Sequence, residues 1–223
     1  MAIEYDDLTV DRLGHASVRI ETGDERVLYV DPWSEVLEGA PHDGDVVFVT
    51  HDDFDHYDPD AVERVAGAAA TVVAFEGVDT SDLPDDLASR SAAAGEELTI
   101  EDIDVQAVPA YNDPDGEHVD GEGNPFHAEG EGVGFLLAID HTTVYVVGDT
   151  DFLEEHEELT ADVFIPPIGG HYTMDRHEAA AFAEHVRPDL VLPVHYDTFE
   201  AIETDAAAFK ADVEEMGATV RLC

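Results

Sequence analysis

The sequence predicts a mixed α/β chain, of the α+β kind, whose strands carry chemistry at their ends. Three observations lead there. Strand-like and helix-like segments alternate along 223 residues, 44% of them apolar, enough for one sizeable core. The run Val46–Val49 is uncharged and hydrophobic on both sides, as a strand covered on both faces requires. Ionisable residues then recur just past strand ends, at His51–His56, Asp149 and His195, where α/β layers usually place their active groups.

Taken in order, Leu8–Leu13, Ser17–Glu21 and Val27–Val30 read as three strands, the last two joined by a turn at Gly23-Asp24. Gly14-His15-Ala16 lies between the first two. Val46–Thr50 is the fourth strand, followed by the His/Asp cluster. Asp58 caps, and Pro59 opens, a helix through about Ala66. Thr71–Phe75 is a strand, residues 76–95 carry little signal, and Glu97–Ile100 with Ile103–Pro109 forms a hairpin. Ala110–Gly132 is a long irregular segment with five glycines, two prolines, His118 and His127, the kind of loop that tends to bind or cover a ligand.

Val133–Ile139 and Thr142–Val147 form a hairpin ending in Gly148-Asp149-Thr150. Val163–Ile165 runs into the Pro166–Gly170 loop. Asp175-Arg176-His177-Glu178 starts a helix in the manner of a capping box, reaching about Val186. Leu190–Val194 is a strand ending in His195, Thr204 caps a last helix closed by Gly217, and Thr219–Leu222 is a final strand. No internal sequence repeat or linker interrupts the chain, so residues 1–223 are expected to form one domain.

The charge is extreme: 54 Asp and Glu against 9 Lys and Arg leave a formal net of −45. In dilute buffer such self-repulsion opposes the compact state, whereas at molar salt the Debye length falls to roughly 3 Å. The charge is spread along the whole chain, which suits a salt-rich cytosol of the halophilic archaeal type better than an acidic interaction tail. Nucleic acid is disfavoured as a partner because no basic patch exists to meet phosphates. The only cysteine is Cys223, so neither an intramolecular disulfide nor a thiolate cluster is expected. The start, MAIEYDDLTV, has no basic or apolar signal region, and the longest apolar run, Val133–Ile139, is too short to span a bilayer. A cytoplasmic protein without membrane partners is expected.

Divalent ions such as zinc take His nitrogen and Asp oxygen, and two ions a few ångströms apart can share a carboxylate. Such a pair needs about seven ligands. In chain order the candidates are His51, Asp53, Asp55, His56, a histidine of the long loop, Asp149 and His195.

The stretch THDDFDH at Thr50–His56 resembles the His-x-His-x-Asp-His signature of the metallo-β-lactamase superfamily, and GDT at Gly148–Thr150 and PVHY at Pro193–Tyr196 resemble its later ligand motifs. LGHAS at Leu13–Ser17, VDP at Val30–Pro32, PAYN at Pro109–Asn112, NPFH at Asn124–His127, IGGHYTM at Ile168–Met174 and EAA at Glu178–Ala180 are similar to a branch of metal-dependent hydrolases that includes ascorbate-6-phosphate lactonase. The resemblance runs from Leu13 to about Phe199. It implies a four-layer αββα sandwich of two mixed β-sheets flanked by helices.

It further implies that His51 and His127 hold a first metal, that Asp55, His56 and His195 hold a second, and that Asp149 bridges both. His127 rather than His118 matches the motif. His15, within GHAS, would stand beside the substrate or a ligand, and Asp55 would orient a metal-activated water and take its proton. One or two divalent ions are expected, zinc first. Asp53 departs from the motif, which usually has a second His there. A carboxylate makes that site harder and admits manganese, iron or magnesium; the alternative is that Asp53 does not ligate and only the second site is filled. His171 departs too, placing an imidazole where the family has a small or polar residue.

The implied reaction is hydrolysis of a small-molecule ester, lactone or phosphoester. Two alternatives stand beside it: a metal-dependent phosphodiesterase or nuclease, and a non-catalytic metal-binding protein that retains the fold. A homo-oligomer is compatible with all three.

Overall fold

The computed structural model describes residues 2–222; Cys223 lies outside the described residues. Its first half builds a seven-stranded sheet in the order β1 (Ile3–Tyr5), β2 (Leu8–Gly14), β3 (Ser17–Glu21), β4 (Val27–Val30), β5 (Gly44–Val49), β6 (Ala66–Phe75) and β7 (Ala88–Ala92). The strands β1 to β4 are antiparallel, and β4 to β7 are parallel. Helix α1 (Pro59–Val65) makes the crossover from β5 to β6.

The second half repeats this plan with β8 (Glu97–Ile100), β9 (Ile103–Ala110), β10 (Gly132–Ile139), β11 (Thr142–Val146), β12 (Val163–Ile165), β13 (Leu190–Val191) and β14 (Thr219–Val220). Again the first four strands are antiparallel and the last four parallel, β11 belonging to both runs. Helices α2 (Arg176–Val186) and α3 (Ala206–Glu214) make the last two crossovers.

Side-chain alternation decides which face meets which layer. Val144, Val146, Val163 and Ile165 join the core shared with the first sheet, beside Val46, Phe48, Val30 and Phe135. Their neighbours Tyr145, Phe164 and Val191 point the other way, onto Phe182 of α2 and Phe209 and Val213 of α3. Val62 and Val65 of α1 pack into the first core. The expected two mixed sheets flanked by helices are therefore present. Phe48 and Phe135, from different sheets, have ring centroids 4.9 Å apart.

The cap at Asp58 forms as the sequence indicates, its side chain accepting from Ala61 N with Pro59 in the first turn. Other details differ. Thr204 does not cap α3; Asp205 does, accepting from Ala208 N at 2.9 Å, as a carboxylate is a stronger acceptor than a hydroxyl. The capping box at Asp175 is half made: Asp175 accepts from His177 N and Glu178 N, but Glu178 turns to Phe152 N instead. The strand expected over Leu190–Val194 ends at Val191, since Pro193 has no N–H to give a neighbouring strand. β7, with the polar sequence ASRSA, is an exposed edge strand that shows no apolar alternation to read. β1 also escapes the sequence pattern, being only three residues long.

Gly134 sits where β10 passes the end of β11. A Cβ there would lie 2.2 Å from Val147 O and 2.8 Å from Val146 O, against backbone that cannot move aside. Gly134→Ala is expected to destabilise the fold by about 3 kcal/mol, read as a lowered guanidinium midpoint in molar KCl. An unchanged midpoint would mean that the close approach is not a constraint.

Candidate metal centre

The candidate residues meet at one edge of the sandwich, at the carboxyl ends of β2, β4, β5, β11 and β13. There both sheets change from antiparallel to parallel pairing, so their loops splay and leave room between them. Backbone links tie the sheets together at this edge: His51 bridges to Gly132, Val133 N donates to Thr50 O at 3.1 Å, and His195 N donates to His15 O at 3.0 Å. His15, Asp31 and His195 all adopt left-handed backbone, with φ of 48°, 46° and 52°. Such conformations each cost on the order of 1 kcal/mol and gather at functional sites. Gly148, at φ 74°, turns the chain out of β11 and delivers Asp149.

Asp149 is buried at the centre. Its Oδ2 lies 3.1 Å from His195 Nε2 and 3.6 Å from His127 Nε2, and its Oδ1 lies 3.5 Å from His56 Nε2. Asp53 Oδ2 stands 3.4 Å from His127 Nε2 and 3.6 Å from His51 Nε2. These are distances expected between neighbouring ligands of one ion. Ligand atoms at about 2.0–2.2 Å from a tetrahedral centre are roughly 3.3–3.6 Å from each other.

His51 Nε2 and His56 Nε2 are buried without a hydrogen-bond partner among the described residues. Leaving such atoms unsatisfied is costly unless something else binds there. His51, Asp53 and His127 form one group of donor atoms, and His51, His56 and Asp149 another that abuts it. Asp55, His56 and His195 form a third with His15. By donor type, spacing and unpaired nitrogens, the set fits one or two divalent ions.

The outer nitrogens are held by partners. His56 Nδ1 donates to Asp31 Oδ2 at 2.8 Å, and Asp31 also accepts from Thr50 N and Thr50 Oγ1. His51 Nδ1 lies 2.9 Å from Thr50 Oγ1. Asn112 Oδ1 accepts from His127 N at 2.8 Å, while its Nδ2 donates to Asp151 and to Tyr172 O. Such contacts fix the ring orientation a ligand needs. His15 Nε2 donates to Asp55 Oδ2 at 2.9 Å, because a carboxylate can only accept, and its Nδ1 lies 3.1 Å from Thr198 Oγ1.

Protonation follows from these neighbours. Burial lowers the His15 pKa, with His195 and His56 adding to the effect against the pull of Asp55. Burial also lowers that of His51. Burial would lower His56 too, but Asp149 and Asp31 outweigh it and hold the imidazolium well above its ordinary range. Burial pushes Asp149 up, and His195 and His56 more than reverse this. Asp53 is held far below the usual carboxylate range by His127 and then His51. For Asp55, burial raises the pKa and the His15 hydrogen bond with the His56 charge overcomes it.

His118 is not at this centre. Its Nδ1 pairs with Asp151 Oδ1 at 2.6 Å, pinning the loop after β9. His171 is exposed and packs on Phe126 and Tyr172. Residues without an individual role in the sequence reading are Asp31, Asn112 and Thr50; the VDP and PAYN motifs marked two of them. Because a metal ion and protons compete for the same imidazoles, loading with a divalent ion should release protons in weak buffer, and affinity should fall as pH drops; proton uptake would contradict this arrangement. Asp31→Asn should weaken binding of a divalent ion about 10–100-fold in a chelator competition, and unaltered affinity would remove Asp31 from this role.

The model of the beta-lactamase superfamily domain matches residues 9–195. A UPF0173 metal-dependent hydrolase of Methanosphaerula palustris is 36% identical over 211 residues, covering 90% of this chain and 89% of the relative. One from Methanopyrus kandleri is 32% identical over 236 residues, covering 94% and 93%. The metallo hydrolase Igni18 of Ignicoccus hospitalis shares the fold with a TM-score of 0.75 at 24% identity, covering 97% of this chain and 94% of that one. The chain thus belongs to the beta-lactamase superfamily, within the family of its archaeal relatives named metal-dependent hydrolases.

Proposed function

We propose that residues 1–223 act as one catalytic domain, a hydrolase whose divalent ions are held by His51, Asp53, His127 and Asp149 on one side and by Asp55, His56, His195 and Asp149 on the other. One observation carries this reading: the buried Asp149 carboxylate faces three imidazole Nε2 atoms at 3.1–3.6 Å, two of its neighbouring imidazoles having unpaired nitrogens. Ions bound there would lower the pKa of a coordinated water and polarise the bond to be cleaved.

The protein's own groups do the rest. Asp55 lines the cavity and is kept ionised by His15, so it orients the attacking water and receives its proton. His15 fixes that carboxylate, and Thr198 beside Nδ1 holds the ring in place. Hydrolysis of a small-molecule ester, lactone or phosphoester fits this apparatus. Nucleic acid fits it poorly, as neither Lys nor Arg lines the cavity among the described residues. No helix among the described residues is long and apolar enough to cross a membrane, and a cytoplasmic enzyme working at high salt is part of the same reading.

Zinc is the first choice of metal. Asp53, reaching His51 and His127 with its oxygen, supports a harder first site open to manganese, iron or magnesium. Asp149→Ala is expected to abolish both bound metal and turnover on an ester and lactone panel in molar KCl; full turnover would overturn the assignment. Faster cleavage of RNA and bis-p-nitrophenyl phosphate than of that panel would favour the phosphodiesterase instead. Asp53→His should raise zinc affinity of the first site about tenfold, and two tightly held zinc ions already present in the unaltered protein would refute a harder site.

A further inference from the structure

A cavity of about 490 Å³ opens over the centre, within the range of small-ligand sites. Five of its lining residues belong to the centre itself. The remaining four, Phe54, Phe126, Tyr172 and Phe199, are all aromatic, although aromatic residues make up only 8% of the chain. They come from four separate loops, so no single element's composition explains their convergence. Phe54 is 70% exposed and Phe199 37% exposed. In a chain of net charge −45, large apolar side chains left in water next to a reactive centre mark a recognition surface.

The rings are braced. Trp33 supports Phe54 and Phe199, with centroids 6.0 Å away from each. On the side of His127, Phe126 and Tyr172 meet edge to face at 4.9 Å, and His171 packs on both, at 5.2 and 4.4 Å. That contact gives His171 a supporting place in the wall. The charged side chains that line the cavity are those of the centre, and none of them is Lys or Arg among the described residues, so no Lys or Arg is there to pair with a phosphate or carboxylate distant from the bond being cleaved.

We infer that the substrate carries, beside its hydrolysable bond, an uncharged planar apolar group that lies between these rings, and that substrates bearing a phosphate away from that bond are disfavoured. This rests on the hydrolase reading and narrows its substrate class to neutral aryl or similarly flat esters or lactones. Phe54 and Phe126 determine the specificity, and Tyr172 and Phe199 complete the wall. Stacked and edge-to-face contacts with such a group add to the area it buries.

Trp33 is the only tryptophan and touches the wall, so its emission reports occupancy independently of turnover. Three amides, slow-cleaving analogues of such esters, separate the terms in metal-loaded protein at molar KCl: acetanilide, N-methylacetamide, which lacks the ring, and 4-acetamidobenzenesulfonate, which adds a fixed negative charge. Acetanilide is expected to bind about tenfold tighter than either other probe. Phe54→Ala and Phe126→Ala should each remove most of that preference while bound metal stays constant; Phe54 is too exposed for its loss to unfold the chain. Equal binding of the three probes, or a preference untouched by both substitutions, overturns the inference while leaving metal content and turnover to stand for the hydrolase reading. A ring preference in a chain that binds no divalent metal supports the aromatic wall and sinks the hydrolase reading.

Discussion

A buried carboxylate surrounded by imidazoles is the constraint on which the site edge depends. Asp149 is 5% exposed and reaches His56, His127 and His195, each delivered by a different loop. An isolated buried charge costs several kcal/mol, so its partners must arrive together or not at all. Two of those partners come from the second half of the chain and one from the first. The two sheets must therefore close on each other with the correct edge aligned, and the backbone links His51 to Gly132 and His195 N to His15 O secure that alignment. The left-handed backbone at His15, Asp31 and His195 is a strain that this closure sustains.

Both sheets have the same strand plan, a four-stranded meander that continues as parallel strands. The plan explains why the active groups fall where they do. Where pairing changes from antiparallel to parallel, the chain must leave the sheet and cross over it, and the residues just past the strand end are freed from the ladder to point into the gap. Asp31 and the His51–His56 loop occupy that place in one sheet, and Asp149 occupies it in the other. No sequence repeat accompanies the structural one, since many apolar residues satisfy the same two-sided burial.

The distribution of charge complements the rings above the centre. Several arginines are engaged in structural contacts: Arg19 bonds Glu21 and Asp43, Arg64 bonds the carbonyls of Leu37 and Gly39, and Arg176 bonds Asp212. Lys210 donates to Val220 O. The cavity floor is thus His and Asp while its walls are aromatic, with no Lys or Arg between them among the described residues. Discrimination there rests on shape and desolvation, forces that molar salt does not screen as it screens surface charge.

Much was legible in the chain alone. The two-sided apolar run Val46–Val49, the Asp58-Pro59 helix start and the strand–Gly148-Asp149 break are local patterns, and local patterns register in sequence because backbone geometry at a turn or strand depends on nearby residues. The cluster His51–His56 was visible for the same reason, its candidate ligands lying within six residues. What the sequence by itself determined was the kind of chemistry and the strands that carry it. Only the tertiary structure decided which groups share an ion's worth of space, that Asp31 holds His56 across the sheet, that His118 pairs with Asp151, and that Phe54, Phe126, Tyr172 and Phe199 converge. Those contacts join residues tens to more than a hundred positions apart, and no local propensity encodes a distance that exists only after the two sheets have closed.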